Sequence, residues 1–385
     1  MRNLRERLMA VASAKPKTQS KEWDCEAEPF FCRESIVPLK ELHGFENSSF
    51  EEICASDPAF SGKSWDIYKV IFLDTETTGL SGGAGTVAFE IGIGFLDERG
   101  FVIKQYVMRD YHEEPAMLSE IATLLRRFDT IVTFNGKTFD LPLLESRMLL
   151  HRIRIPLMQM PHFDLLHVMR RVYKLRLKRC NLSSLEQAVL GYEREDDLPG
   201  SQVPQRYFDY IKTREFALLE DVLRHNADDV KSLAALTGYI CKVFRAPQML
   251  NHPQDLLGVG RTLMKSGRKQ GARNCFKILG HSTLSAQAHM YLASSYKKDK
   301  DWHEVIASCQ EMIACGEGGT WPYIELAKYY EHFERDYERA LSFAFGALRY
   351  WLNMMPILKN DENQMQQIQR RIERLKRKQQ RNEQT

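Results

Sequence analysis

The chain has 385 residues, of which 43% are hydrophobic and 27% are charged, and its formal net charge is +3. This composition is typical of a soluble globular protein with two or three domains. No segment approaches the roughly 18 to 20 apolar residues that a membrane span requires, so we expect no membrane partner. The basic N-terminus has no continuous apolar stretch, and a secretory signal is therefore not expected.

The eight cysteines are scattered and include no Cys-x-x-Cys pair. This usage indicates reduced thiols in a cytoplasmic protein. A zinc site formed by Cys25, Cys32 and Cys54 is the alternative, although zinc ligands usually include a closely spaced pair.

Residues 1–65 show no clear periodicity, because polar stretches and prolines such as Pro16, Pro29 and Pro38 interrupt it. We predict an N-terminal extension that is partly disordered and packs on the following domain.

An α/β domain with a mixed sheet is predicted for residues 66–246. Residues 68–73 are rich in β-branched and aromatic side chains, which indicates a strand, and a glycine-rich loop follows. Further strands are predicted at residues 86–96, 101–108 and 131–134, and helices at residues 115–127, 139–150 and 216–244. Strands followed by an alternation of helix and strand favour a mixed sheet.

An internal repeat begins after the strand signals end. Leu292-Ala293 is echoed by Leu326-Ala327, 34 residues later. A period of 34 residues is typical of tetratricopeptide helix pairs, so we predict a short all-α solenoid over residues 250–358. An ordinary helical bundle is the alternative. Residues 359–385 are predicted to form a basic tail that is helical or disordered.

Two carboxylates end the first predicted strand. Asp74 and Glu76 are two residues apart, so they lie on the same face of the strand. Two adjacent ionised carboxylates without a partner are unfavourable, and a hard divalent cation such as Mg²⁺ or Mn²⁺ resolves the repulsion. A surface turn with two solvated acids is the alternative interpretation.

Asp140 is the third candidate ligand, because it follows another short apolar strand at the start of a helix. Asp is also a favoured helix N-cap, and Pro142 fits a first helical turn. Lys137, just before it, either contacts a phosphate or is simply solvated.

The long helix over residues 216–244 carries His225 and Asp229 on its apolar stripe, four residues apart. Asp229 therefore points inward, where a charge needs a partner, whereas Asp228 lies on the polar face. The partner is either a metal ion or a buried Arg or Lys. His225, one turn earlier, can take a proton from water near neutral pH; a packed structural histidine is the alternative.

The ordered set of Asp-x-Glu, a central Asn and Asp, and a late helix with His before Asp resembles the DnaQ-like exonuclease superfamily, which has the RNase H fold. Residues 72–79 (FLDTETTG) resemble its first motif. Residues 135–140 (NGKTFD) and 225–230 (HNADDV) resemble, more specifically, the bacterial YprB-type RNase H-like proteins, which also append tetratricopeptide-like repeats. The resemblance covers about residues 67–240 and, more loosely, residues 250–350.

The resemblance implies an RNase H-like mixed sheet of five strands flanked by helices. It implies that two divalent cations, Mg²⁺ or Mn²⁺, bind Asp74, Glu76, Asp140 and Asp229, and that His225 is the general base. One departure concerns the base: three residues separate His225 from Asp229, which is the spacing of the subclass that has Tyr in place of His. Substrate contacts are predicted for Thr77, Gly79, Leu80, Asn135, Lys137 and Phe139.

Other features are also candidate sites. Residues 196–201 are acidic and loop-like and are a candidate for lying near the substrate, but no physical argument assigns them a role. The segment His162 to His167 contains two histidines five residues apart, which is a poor chelate on a helix, and Asp164 fits an N-cap; we favour a structural role. Residues 170–179 are strongly basic and suit a polyphosphate partner, whereas the basic tail favours a solvated helix face.

The sequence therefore predicts a cytoplasmic, metal-dependent 3′→5′ exonuclease that acts on single-stranded DNA or RNA, with helical repeats that bind a protein partner. A scaffold with a weakly active or inactive nuclease fold is the alternative. Endonucleolytic cleavage and hydrolysis of an RNA–DNA hybrid are alternatives within the enzyme class.

Overall fold

The computed structural model describes residues 28–79, 85–195, 197–354 and 362–384. It divides into two compact units, of which the first ends at Met249 and the second begins at Leu250. Residues 1–27 of the predicted N-terminal extension, which covers residues 1–65, lie outside the described residues.

The first unit is built on a mixed sheet, which confirms the predicted fold class. Its strands are β1 (Phe31–Val37), β2 (Val70–Thr77), β3 (Ala88–Asp97), β4 (Gly100–Val107), β5 (Thr130–Thr133) and β6 (His162–Asp164). The strand order is β1-β4-β3-β2-β5-β6. The pairs among β1 to β4 are antiparallel, and β5 is parallel to both β2 and β6. The sheet thus has one strand more than the five that the resemblance implies.

The additional strand comes from the N-terminal segment. Strand β1 pairs along its whole length with β4, from Phe31 opposite Val107 to Val37 opposite Phe101. Phe45 then packs edge-to-face on Phe72 of β2, with ring centroids 5.0 Å apart. Residues 31–60 therefore belong to the sheet and its core.

Helices cover the sheet and its connections. The helices of the first unit are α1 (Phe50–Ser56), α2 (Glu114–Leu125), α3 (Asp140–Leu150), α4 (Leu165–Tyr173), α5 (Leu182–Leu185), α6 (Val203–Thr213) and α7 (Glu220–Arg245). Helix α7 packs on β2, β3 and β4. Its approach requires small residues in β3, because a Cβ at Gly94 would lie 2.6 Å from the Val230 side chain. This close packing brings the middle of α7 against the central strands.

The second unit is all-α, as predicted. Its helices are α8 (Pro253–Lys265), α9 (Lys269–Leu279), α10 (Ser285–Lys298), α11 (Trp302–Ala314), α12 (Trp321–Tyr329), α13 (Tyr337–Met354) and α14 (Glu362–Glu383). Helices that follow each other along the chain pack together. The repeated Leu292-Ala293 and Leu326-Ala327 pairs are buried in α10 and α12.

The basic C-terminal segment is largely helical. Helix α14 is held by Glu331, a buried acid that accepts hydrogen bonds from Arg371, Arg374 and Lys378. Part of the basic surface that the sequence placed in a solvated tail therefore pairs with a buried charge inside the second unit.

Two expectations from composition can be compared with the structure. Among the described residues, no helix is long and apolar enough to cross a membrane. The same residues contain no group of converging metal-ligating side chains that includes Cys32 or Cys54, and Cys25 lies outside them.

Gly238 of α7 tests whether the N-terminal segment is part of the fold. A Cβ at this position would lie 2.5 Å from both the Leu42 oxygen and the Phe45 nitrogen, which are backbone atoms. We expect Gly238→Ala to lower the free energy of unfolding by about 1–3 kcal/mol, because backbone cannot move aside as a flexible side chain can. Differential scanning calorimetry measures the change.

Gly271→Ala in α9 is the matched control, since its added Cβ would meet only the Leu263 side chain, at 3.4 Å. Replacing a helical Gly with Ala in open space stabilises by roughly 0.5–1 kcal/mol. Equal stability changes in the two variants would contradict the packing of residues 42–45 against α7.

Candidate metal centre

The first two candidate ligands end the central strand β2. Residues Val70 to Leu73 are buried, and Asp74 and Glu76 follow on one face. The Glu76 side chain is 13% exposed. Both carboxylates are thus held by a buried strand in a crevice that still reaches solvent.

Asp140 is the first residue of α3 and is only 6% exposed. The N-cap position is occupied by Phe139, and no side chain caps the helix. The Asp140 carboxylate instead accepts a hydrogen bond from the Thr75 hydroxyl at 2.5 Å. The structure therefore places Asp140 against β2 and not in the N-cap role considered from the sequence.

Helix α7 brings His225 and Asp229 to the β2 carboxylates. The His225 Nε2 atom lies 3.6 Å from Glu76 Oε1 and 3.8 Å from Asp229 Oδ2. Ligand atoms of these three residues all lie within 4.8 Å of one another. Asp228 is half-buried, and burial raises the pKa of its carboxyl, so it is less exposed than the sequence predicted.

Asn226, the residue after His225, binds Asp74, the other carboxylate of β2. It is buried, and its amide donates a 3.0 Å hydrogen bond to Asp74 Oδ2. Gly92 of β3 makes room for it, because a Cβ there would clash with the Asn226 side chain. Sequence reasoning missed Asn226, although a buried amide beside a conspicuous acid motif was a usable signal.

The clustered acids destabilise one another's charged forms. Burial raises the pKa of Asp74 well above its usual range, and nearby Asp229 and Asp140 raise it further. Burial, followed by the charges of Asp74 and Asp229, does the same to Glu76. Burial also raises the pKa of Asp140 to about 6. The charges of these acids therefore act on one another, and that of Asp140 raises the pKa of both Asp74 and Glu76.

Glu90 is a fifth acid at this cluster. It lies directly opposite Glu76 in the β2–β3 pairing and is 1% exposed. Burial raises the pKa of its carboxyl to about 8. The Gln105 amide donates to Glu90 Oε1 at 2.9 Å and to the Leu223 carbonyl at 2.6 Å. Its position in an otherwise apolar strand was a sequence signal that we did not use.

A buried arginine contacts the cluster from the loop after α5. Arg194 is 6% exposed and makes two hydrogen bonds to the buried Glu186. Its Nη2 atom also donates to Asp229 Oδ1. A buried Arg is one of the partners that the position of Asp229 predicts, and in the structure this residue is Arg194.

Asp197, from the same loop, contacts the histidine. Its Oδ1 atom lies 2.7 Å from His225 Nδ1. Arg194 Nη1 is farther from Nδ1, at 3.4 Å. An ionised carboxylate can only accept, so the shorter contact favours a proton on Nδ1, while the Nε2 atom is the one that faces Glu76 and Asp229.

The predicted substrate residues have different environments in the structure. Asn135 and Lys137 are exposed and Phe139 is half-buried, whereas Thr77 is buried with its hydroxyl donating to the Gly79 carbonyl at 2.8 Å. Leu80 lies outside the described residues.

Asp164 has the structural role that the sequence favoured. It caps α4 by accepting from the Leu166 amide. It also accepts from the backbone amides of Asn135, at 2.9 Å, and Lys137, at 3.3 Å. Asn135 adopts a left-handed conformation, with φ of 67°, so Asp164 holds the tight turn that precedes Asp140.

The donor set of the crevice fits hard divalent cations. Four carboxylates supply oxygen ligands, and two of them converge with an imidazole nitrogen. Their mutual repulsion is relieved when cations neutralise them. Glu76, His225 and Asp229 are therefore placed to hold a metal ion, and Asp74 and Asp140 lie close enough to raise the pKa of Glu76.

A profile of the RNase_H_2 family, described as RNase_H superfamily, matches residues 71–241. The chain belongs to the RNase H superfamily, whose fold indicates a nuclease. It is similar to the protein YprB of Bacillus subtilis (strain 168), with 31% identity over 367 residues that cover 92% of this chain and 87% of that protein.

Glu90 provides a test of the electrostatic description. Its raised pKa means that folding favours the protonated carboxyl; this stabilisation is complete below about pH 4.5 and is lost as pH rises through about 8. With chelator present, we expect Glu90→Gln to weaken this decline and to stabilise the protein at pH 8 by about 1–3 kcal/mol. Urea unfolding between pH 5 and pH 9 measures it.

Glu120→Gln is the control, because Glu120 is an exposed acid of the same unit. We expect Glu120→Gln to leave the dependence of the free energy of unfolding on pH unchanged. A Glu90→Gln curve that coincides with the wild-type curve would contradict a buried, destabilised carboxyl at this position.

Proposed function

We propose that the protein is a metal-dependent 3′→5′ exonuclease that hydrolyses single-stranded nucleic acid. The observation that carries the proposal is the convergence of Glu76, His225 and Asp229, whose ligand atoms all lie within 4.8 Å of one another. Asp74 and Asp140 are near enough that their charges raise the pKa of Glu76. Acids from β2, α3 and α7 would not gather at such an electrostatic cost without a function.

The four acids are proposed to bind two divalent cations, Mg²⁺ or Mn²⁺. When bound, such ions supply an activated water and stabilise the leaving oxygen of a phosphodiester. The chain's own contribution is to hold the carboxylates in place through the β2 backbone, the Thr75 hydroxyl and the Asn226 amide.

His225 is proposed to take the proton from the attacking water. Asp197 accepts from Nδ1–H, so the basic Nε2 atom faces the crevice, and the resulting imidazolium is stabilised by the same carboxylate. This geometry supports the base role despite the unusual spacing between His225 and Asp229.

Basic residues near the crevice are proposed to hold the substrate backbone. Lys137 is exposed at the turn before Asp140. Helix α4 begins beside this turn. Its C-terminal end lies roughly 10 Å farther along the helix axis, and Arg170, Lys174 and Lys178 are exposed at or beyond that end. Phe139 is half-buried and can stack on a terminal base without sequence preference.

The second unit is proposed to be tetratricopeptide-like and to bind a protein partner. Asp301 and Asp336 both cap the second helix of a pair, accepting from the amide three residues later. This equivalence supports a repeat and not an accidental similarity. We also propose a cytoplasmic location, which the buried thiols of Cys180 and Cys241 support.

The first test uses 5′-labelled single-stranded DNA and RNA with Mn²⁺ or Mg²⁺. We expect products that shorten from the 3′ end and that disappear with chelator or in Asp74→Ala, because Asp74 is a central ligand. Denaturing gels display the products, and Asp209→Ala, at an exposed acid of α6, is the control that should cleave as the wild type does.

A circular single strand separates exonuclease from endonuclease activity, since it has no 3′ end. Cleavage of the circle would show that the protein is an endonuclease. Cleavage of an RNA–DNA hybrid alone would show that the substrate is the hybrid and not a single strand. If the wild type leaves every substrate intact and binds no Mn²⁺, the chain is a scaffold and the proposal is wrong.

Asp197→Asn tests the proposed base. The amide can donate to Nδ1 and so favour the tautomer with its proton on Nε2. We expect kcat to fall by at least about 10-fold, within the 10²–10⁴-fold that a general base contributes, while Mn²⁺ affinity changes little. Steady-state kinetics and calorimetry measure the two quantities.

Asp221→Asn on α7, where Asp221 pairs with Arg224 at the surface, is the control. If Asp197→Asn weakens Mn²⁺ binding and leaves kcat at saturating Mn²⁺ unchanged, His225 is a metal ligand and not the base.

A further inference from the structure

Arg194 contacts the candidate metal centre in a way that the proposed mechanism does not use. Its guanidinium faces Glu186 with Nε and Nη2, at 2.9 and 2.5 Å, and Nη2 also reaches Asp229 Oδ1. Its Nη1 atom lies 3.6 Å from Asp197 Oδ2. One buried cation thus joins three acids from the π-helical turn Glu186–Leu190, the following loop and α7.

The two oxygens of Asp229 have different environments. Oδ1 accepts from Arg194, whereas Oδ2 faces His225 Nε2 at 3.8 Å. The oxygen bound by arginine is therefore not the one nearest the histidine. Arg194 occupies the far side of the carboxylate and leaves the other oxygen available to a cation.

The guanidinium is itself fixed. The Glu186 side chain is 1% exposed, and its two carboxylate oxygens accept a bidentate pair of hydrogen bonds from Arg194 Nε and Nη2. Such a contact defines the orientation of the guanidinium as well as its position. Because Arg194 is anchored in this way, its guanidinium keeps a fixed position. It is therefore suited to orient the Asp229 carboxylate and not to take the place of a cation.

We propose that Arg194, anchored by Glu186, is a positioning residue that orients Asp229 for cation binding. The inference rests on the proposed function, because it takes Asp229 as a metal ligand. Hydrogen bonds from the protein to ligating carboxylates fix their orientation, and removing such partners typically costs about 10–100-fold in metal affinity or activity.

The alternative explanation is that Arg194 only neutralises the negative charge of the neighbouring acids and does not orient Asp229. The two accounts differ for the double variant Glu186→Gln/Arg194→Gln, which removes one negative and one positive charge. A pure charge effect predicts unchanged or tighter Mn²⁺ binding, because the net charge is unchanged and the positive charge that is removed lies nearer to Asp229 than the negative one. Positioning predicts weaker binding, because the orientation of Asp229 is lost.

The experiment is calorimetric titration of the full chain with Mn²⁺, below the unfolding temperature of each variant as measured by circular dichroism. We expect the double variant to bind Mn²⁺ about 10–100-fold more weakly than the wild type. Removing both partners avoids leaving Glu186 buried and unpaired, so the variant should fold better than Arg194→Gln alone.

Glu114→Gln/Arg147→Gln is a matched control. Arg147 binds the buried Glu114 through the same two nitrogens, Nε and Nη2, and lies outside the candidate centre. This variant should bind Mn²⁺ as the wild type does. Equal losses in both double variants would indicate a general effect of removing buried ion pairs and would overturn the inference.

Wild-type or tighter Mn²⁺ affinity in Glu186→Gln/Arg194→Gln would also overturn it, leaving the exonuclease proposal intact. Failure of the wild type itself to bind Mn²⁺ or to cleave nucleic acid would instead contradict the proposed function. In active variants, positioning further predicts that half-maximal activity requires about 10–100-fold more Mn²⁺, while the KM for nucleic acid is unchanged.

Discussion

Electrostatic repulsion among buried carboxylates is the constraint on which this structure depends. Asp74, Glu76 and Asp229 come from β2 and α7, and burial raises the pKa of all three. Neighbouring acids raise the pKa of Asp74 and Glu76 further, whereas Arg194 and His225 lower that of Asp229. A fold holds such a cluster only if packing elsewhere is strong enough, and here the buried apolar residues of β2 and the long helix α7 provide that packing. The arrangement is costly without cations and favourable with them, which links stability of the first unit to its proposed chemistry.

Hydrogen bonds and close backbone packing fix the positions of the acids. Gly92 and Gly94 let α7 approach β3, so that Asn226 can reach Asp74. Asp164 holds the turn that leads into Asp140. The N-terminal strand β1 completes the sheet on the side away from β2, and Phe45 adds to the core beneath it. Residues far from the crevice thus determine the geometry inside it.

The sequence suggests these acids as candidate ligands because each carries a local signal. Asp74 and Glu76 end an apolar strand, and Asp229 falls on the apolar stripe of a helix, so period and spacing alone place them inward. Strand β1 was missed because it is a partly exposed edge strand flanked by Pro29 and Pro38. Arg194 was missed for a different reason: it lies in a charged loop without periodicity, and its burial depends on Glu186 and Asp229, which only the tertiary fold brings together.

The central claim is that the acid cluster is a site for two divalent cations, and counting bound Mn²⁺ tests it most directly. Electron paramagnetic resonance of free Mn²⁺, titrated against the full chain, gives the number of ions bound at saturation. The account predicts two ions, with a rise in the unfolding temperature upon binding and loss of binding in Asp74→Ala. The account would be contradicted if the protein bound no Mn²⁺ at any concentration in the titration. It would also be contradicted if the wild type and Asp74→Ala bound Mn²⁺ equally.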